Sequence, residues 1–206
     1  MAITNSTIQG KIGNAIFYRV GRTSRVRSVP AEYLDANTPQ QQENRSRLRI
    51  ATRFYQRLME TILRDVWKVA AGKSGANGFN FFMKENMMVF KPNGKISDFS
   101  RLQLGVGMMQ KVDHLVATVG DDDTVTLTWE LDADLPSARK DDRLQVVVLY
   151  GNRSFTPVFV ETGGVTRGDG KTTFRLERKR GTAAHVYCFF REKEGKAYST
   201  SQYLRM

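Results

Sequence analysis

Two different hydrophobic periods divide this chain. Between residues 38 and 70, apolar side chains return every three or four positions, at Leu48, Ala51, Tyr55, Leu58, Ile62, Val66 and Val69, with Phe54, Leu63 and Trp67 widening the stripe. That spacing predicts one amphipathic helix packed along one side. Its start is marked by Thr38-Pro39-Gln40-Gln41, with threonine at the cap, proline at the first helical position and glutamine two residues further on, where a capping box places it. A second, shorter helix is predicted over Phe79 to Phe90, apolar on most sides and stopped by Lys91-Pro92-Asn93-Gly94.

From residue 112 onward the period falls to two. Seven short segments alternate or run apolar between turn residues: His114 to Val119, Thr124 to Glu130, Arg143 to Tyr150, Ser154 to Val160, Thr172 to Glu177, Ala184 to Arg191 and Ala197 to Leu204. Number, spacing and total length predict an antiparallel β-sandwich of the immunoglobulin or fibronectin type III kind, with Trp129 as the large core residue of its second strand. Before the helix, Ala15 to Val20 and Thr23 to Val29 flank a two-residue Gly21-Arg22 turn, which predicts a hairpin. In that register Tyr18 pairs with Arg25 and Ile16 with Arg27, while Phe17 and Val26 face the other way.

The expected class is therefore α+β in three segments: an extended basic hairpin over residues 1–36, a helical region over 37–111, and an immunoglobulin/fibronectin type III-like sandwich over 112–206.

Charge sharpens this division. Residues 1–111 hold eighteen Lys and Arg against seven Asp and Glu, and residues 112–206 hold fourteen of each, so the whole net charge of +11 belongs to the first half. A basic half beside a neutral one points to an anionic partner for the former. The residues that would meet it are Lys11, Arg19, Arg22, Arg25 and Arg27 in the hairpin, with Tyr18 as a stacking ring among them. On the helix they are Arg45, Arg49, Arg53 and Arg57, four residues apart, followed by Arg64. Like charges at this spacing repel by a few tenths of a kcal/mol per pair, roughly. The same hairpin residues also suit an exposed strand edge kept soluble by arginine, and the helical row also suits a solvated face.

Motifs for chemistry are sparse. The lone Cys188 allows no internal disulfide and no Cys-based zinc site. Cys188 and His185, three apart in a strand, point to opposite faces and cannot act as nucleophile and base. Gly72-Lys73-Ser74 lacks the glycine five residues earlier that a phosphate-binding loop needs, and it follows a helix instead of a strand. Arg167-Gly168-Asp169 reads as a tight turn, and no export signal accompanies it. Asp121-Asp122-Asp123 and Arg178-Lys179-Arg180 are expected at one end of the sandwich, offsetting each other. Asp132, Asp134, Asp141 and Asp142 are expected at the other end. No catalytic residue, metal site or cofactor is assigned, and no apolar run reaches the length of a membrane span.

Gly10-Lys11-Ile12-Gly13-Asn14, Phe17-Tyr18-Arg19, Asn37-Thr38-Pro39-Gln40-Gln41 with Arg45, and His185-Val186-Tyr187 with Phe189-Phe190 together resemble a family of uncharacterised proteins abundant in Bacteroidota. The likeness covers nearly the whole chain and departs at Asp35-Ala36, where the family more often has Asn-Pro. A shorter form of the N-terminal motif is similar to small proteins of phage and prophage structural regions. The resemblance implies no activity. It favours a mobile-element or virion setting. From the residues themselves the expectation is a non-enzymatic structural or binding protein, cytoplasmic or virion-borne, whose basic half docks on nucleic acid or an anionic assembly, with assembly partners or further copies of itself. The alternative is a cytoplasmic adaptor whose basic half binds an acidic protein.

Overall fold

A computed structural model describes residues 8–32, 35–72, 77–131, 137–179 and 181–206. Lys73-Ser74, Asp132, Asp134 and Arg180 lie outside them. The chain forms two compact units, Met1–Pro39 and Gln40–Met206. The class is mixed α+β, mostly β, with three antiparallel sheets.

The first unit is a three-stranded meander, β1 (Gly10–Ile12), β2 (Ala15–Val20) and β3 (Thr23–Ser28). Its β2–β3 register is the expected one, Tyr18 opposite Arg25, Ile16 opposite Arg27 and Phe17 opposite Val26. Gly21 opens the turn at φ 61°, where any other residue type would be strained. The additional strand β1 arises from a second two-residue turn, Gly13-Asn14, that places Ile12 opposite Ala15 and Lys11 opposite Ile16.

Helix α1 (Pro39–Met59) starts at Pro39, directly after Thr38, and runs into the second unit. The single helix expected through residue 70 is broken, and α2 (Leu63–Gly72) follows as a separate element. No glycine or proline causes the break. Thr61 does: its hydroxyl donates to Leu58 O at 2.6 Å and accepts from Leu63 N at 3.2 Å, so one side chain ends the first helix and caps the second. Helix α3 (Gly78–Asn86) starts where Asn77 Oδ1 accepts from Asn80 N, and a 3-10 turn over Met87–Val89 ends it earlier than expected.

All seven expected strands form at least in part, the last only from Gln202 instead of Ala197. They are β4 (Asp113–Val119), β5 (Thr124–Glu130), β6 (Arg143–Tyr150), β7 (Val158–Val160), β8 (Lys171–Arg175), β9 (Ala184–Arg191) and β10 (Gln202–Arg205). One sheet has the order β4-β5-β8 and the other β10-β9-β6-β7. Strand β7 is shorter than expected because Pro157 lacks the N–H a ladder needs and Phe155 turns instead onto Phe54 and Phe90.

The four-stranded sheet is buried on both faces. From β6 and β9, Val146, Val148, Val186, Cys188 and Phe190 pack with Val125, Leu127 and Trp129 of the other sheet. Their neighbours Val147, Leu149, Tyr187 and Phe189 pack with Phe54, Leu58, Trp67 and Phe82 of the helices. Within the second unit, helices, four-stranded sheet and the sheet β4-β5-β8 form three layers, and α1, α2 and α3 share a core with β6 and β9. Burying each of these large side chains contributes about 1.5–3 kcal/mol.

Candidate anion-binding surfaces

Strand alternation decides which hairpin residues act together. Lys11, Ile16, Tyr18, Arg25 and Arg27 fall on one face of the meander by register. Arg19, opposite Ser24, lies on the other face with Ile12, Phe17 and Val26, and its Nε donates to Gly21 O at 2.9 Å. Arg22 occupies the turn. The five basic residues assigned to this segment thus divide into a face of three, a turn residue and one on the reverse. None of the described residues of this unit is buried, and Tyr18 is exposed enough to stack.

On α1 the four arginines at Arg45, Arg49, Arg53 and Arg57 are all exposed. Helix geometry advances each by about 6 Å and about 40°, so the row is about 18 Å long and sweeps about 120° of the helix surface. Along one DNA strand, 18 Å is about five phosphate steps. Arg57 of this row pairs with Glu60 at 3.5 Å, and both side chains are well exposed. An exposed pair of this kind contributes little to stability.

Arg64 does not extend the row. It lies on α2, beyond the Thr61 break, and its positive charge opposes the rise that burial causes in the Tyr55 hydroxyl. Tyr55 packs against Phe79 and Phe82 of α3, on the flank of α1 away from Arg53.

Two features of α1 escape a reading of periodicity. Arg47, between the members of the row, is half-buried and donates from Nε to Phe90 O at 3.0 Å, which ties the helix to the turn after α3. Beside Arg53 and Arg57, the side chains of Ile50 and Phe155 floor a cleft of about 310 Å³ that Gly94 closes. Phe155 comes from a segment a hundred residues away, so only the folded chain brings it there.

The motifs set aside in the sequence settle into structural roles. Arg167 is buried, its Nε donating to Asp142 Oδ2 at 3.3 Å and its Nη2 to Gln110 O at 2.8 Å. Asp169 closes a capping box with Thr166. The tripeptide is thus a 3-10 turn with a buried arginine. Asp123 Oδ1 accepts from Arg178 Nε and Nη2 at 2.9 and 2.8 Å, the expected offset between the acidic and basic loops. Cys188 is fully enclosed, and burial pushes its thiol up to about 12. His185 faces the helical layer, on the side of β9 away from Cys188. Among the described residues, no group of three His, Cys, Asp or Glu could hold a metal ion, and no helix is long and apolar enough to cross a membrane.

The chain belongs to a family of unknown function, DUF6266, which matches it over residues 7–205. No curated protein and no solved structure matches it.

Proposed function

We propose that this member of DUF6266 is a non-enzymatic structural or binding protein that docks on nucleic acid or an anionic assembly through the basic residues of its first half. One observation carries the reading: Arg45, Arg49, Arg53 and Arg57 stand exposed along one flank of α1 at a spacing that costs an isolated helix stability. The Lys11, Arg25 and Arg27 face of the meander, with Tyr18, supplies a second basic surface of the kind that stacks on bases and contacts phosphates. The sheet orders β4-β5-β8 and β10-β9-β6-β7, with Trp129 buried on the second strand, support reading the strand layers as a fibronectin type III-like sandwich. Such a module suits presentation or contact with neighbouring subunits. A phage-like or virion setting rests on the likeness of the N-terminal motif alone.

The second reading, an adaptor for an acidic protein, is favoured by the apolar floor of Ile50 and Phe155 beside Arg53 and Arg57. A cleft of that size accepts an apolar anchor from a partner whose acidic residues meet the guanidinium groups.

Salt titration of the full chain on duplex DNA distinguishes the two. If the four arginines contact phosphates, the logarithm of the binding constant falls against the logarithm of salt with a slope of roughly 3 to 4, without sequence preference. The triple substitution Arg49→Gln, Arg53→Gln and Arg57→Gln should reduce that slope by about 3. A chain that fails to retain DNA or RNA at low salt overturns the nucleic-acid reading.

A further inference from the structure

On the strand layers, three cations line an open cleft of about 690 Å³. The chain positions each by a different device. Arg153, in the turn after β6, lies with Cζ 4.7 Å from the centroid of the Tyr150 ring, and its Nη2 donates to Glu177 O at 3.2 Å. Arg175, at the end of β8, donates from Nε to Asp122 O at 3.2 Å, which leaves both terminal nitrogens unengaged by that bond. Lys179 follows two residues beyond Glu177. Tyr150, buried under Arg153, accepts from Glu177 N at 2.9 Å and so fixes the segment that carries Lys179.

The charge at this place is unbalanced. Arg178 also lines the cleft, but Asp123 cancels it. That leaves Arg153, Arg175 and Lys179 against Glu177 and the Asp122 carboxylate near Arg175, three positive charges against two negative, or a local excess of one. None of the three forms a salt bridge with a described residue. Guanidinium groups already held by π contact and backbone carbonyls lose little freedom when a ligand arrives, which is the physical condition for recognising an oxyanion.

We infer that the cleft formed by Arg153, Arg175 and Lys179 binds a small phosphate- or sulfate-bearing ligand, a diphosphate group matching its three cations best. None of the residues that line it belongs to the α1 row. Its occupancy does not depend on the function proposed for that row.

The test uses the full chain in chloride at constant ionic strength, with inorganic pyrophosphate, phosphate and sulfate as probes and the backbone amide resonances of Asn152, Glu177 and Lys179 as the readout. Saturable shifts confined to this cluster are expected, with pyrophosphate binding about tenfold more tightly than phosphate. A phosphate preference over sulfate assigns a phosphate ester, and equal binding assigns oxyanions in general. The pair Arg153→Gln with Arg175→Gln should weaken pyrophosphate at least tenfold, and the pair Arg53→Gln with Arg57→Gln should leave it unchanged. Should the first pair fail to fold, Lys179→Glu, at an exposed position, serves in its place. Shifts that do not saturate, that scatter over the surface, or that persist at equal affinity in the variants overturn the inference.

Discussion

Arg167 Nε lies 3.3 Å from Asp142 Oδ2 with both side chains almost entirely enclosed, 5% and 2% exposed. The guanidinium also stands 4.2 Å over the Phe190 ring, so the pair joins the loop before β6, the loop before β8 and strand β9. Removing one partner leaves the other charged and dry, which costs about 3–5 kcal/mol. Asp142→Ala should therefore lower stability by that amount in urea unfolding. Replacing both together, as Asp142→Leu with Arg167→Met, should recover most of the loss, because no charge is then stranded.

His185 gives the fold a pH dependence of known sign. Its ring stacks on Phe99 with centroids 3.6 Å apart, its Nδ1 is 2.8 Å from the Tyr203 hydroxyl, and Arg205 lies on the neighbouring strand. Burial first, then the Arg205 charge, hold the imidazole below its ordinary value. The folded chain resists a proton that the unfolded chain accepts. Stability is thus complete above about pH 6.5 and declines as the pH falls toward the lower folded value. His185→Phe, which cannot be protonated, should lose less stability than the native chain between neutral and mildly acid pH. Side-chain NMR of the native protein should show the His185 ring titrating below the ordinary histidine range.

Much of this architecture is visible in the residues. A two-residue turn leaves one register, so Gly21-Arg22 determines that Tyr18 meets Arg25. The bounds of β5, β6 and β9 follow the apolar segments closely, with Thr124 and Arg143 each directly after an aspartate and Ala184 three residues after Gly181. The three-layer packing is harder to see. Its signal lies in the unbroken runs Val146-Val147-Val148-Leu149 and Val186 to Phe190, which mark strands covered on both faces, but such runs do not say that helices supply the second cover. The break at Thr61 turns on one hydroxyl choosing Leu58 O, a local competition that apolar spacing does not register. Of the basic residues, α1 aligns those it carries by helical period alone. Arg19 and Arg64 leave their groups because strand parity and a helix break intervene. The burial of Arg167 depends on Asp142, twenty-five residues earlier, and short-range pattern carries no trace of it.

Gly107 is required by a close approach of backbone to backbone. A Cβ built there would lie 1.9 Å from Tyr198 O and 2.7 Å from its carbonyl carbon, where Met109 N donates to the same oxygen at 3.1 Å. Neither side can yield without breaking the link between this loop and the β9–β10 connection. Gly107→Ala should cost about 3 kcal/mol, the upper end of overpacking. Gly72→Ala, at the end of α2 with nothing within 4 Å of the added carbon, should be neutral or stabilising by about 0.4–1 kcal/mol. Thermal unfolding of the two variants side by side checks the contrast.

Arg53 tests whether the row on α1 is retained for stability or for contact. It stands four residues from both Arg49 and Arg57, and all three side chains are exposed. Arg53→Glu removes two repulsive pairs and creates two attractive ones, each change contributing about 0.2–0.5 kcal/mol, so the variant should be more stable than the native chain by about 1 kcal/mol. The same substitution places a carboxylate in the middle of the surface proposed to meet a polyanion, flanked by the floor of Ile50 and Phe155. Binding to duplex DNA at low salt should therefore weaken by more than Arg53→Gln weakens it, even as the unfolding midpoint rises. Opposed changes in stability and affinity would mark a row kept for what it touches. A variant that gains stability and binds as before would show four arginines facing only water.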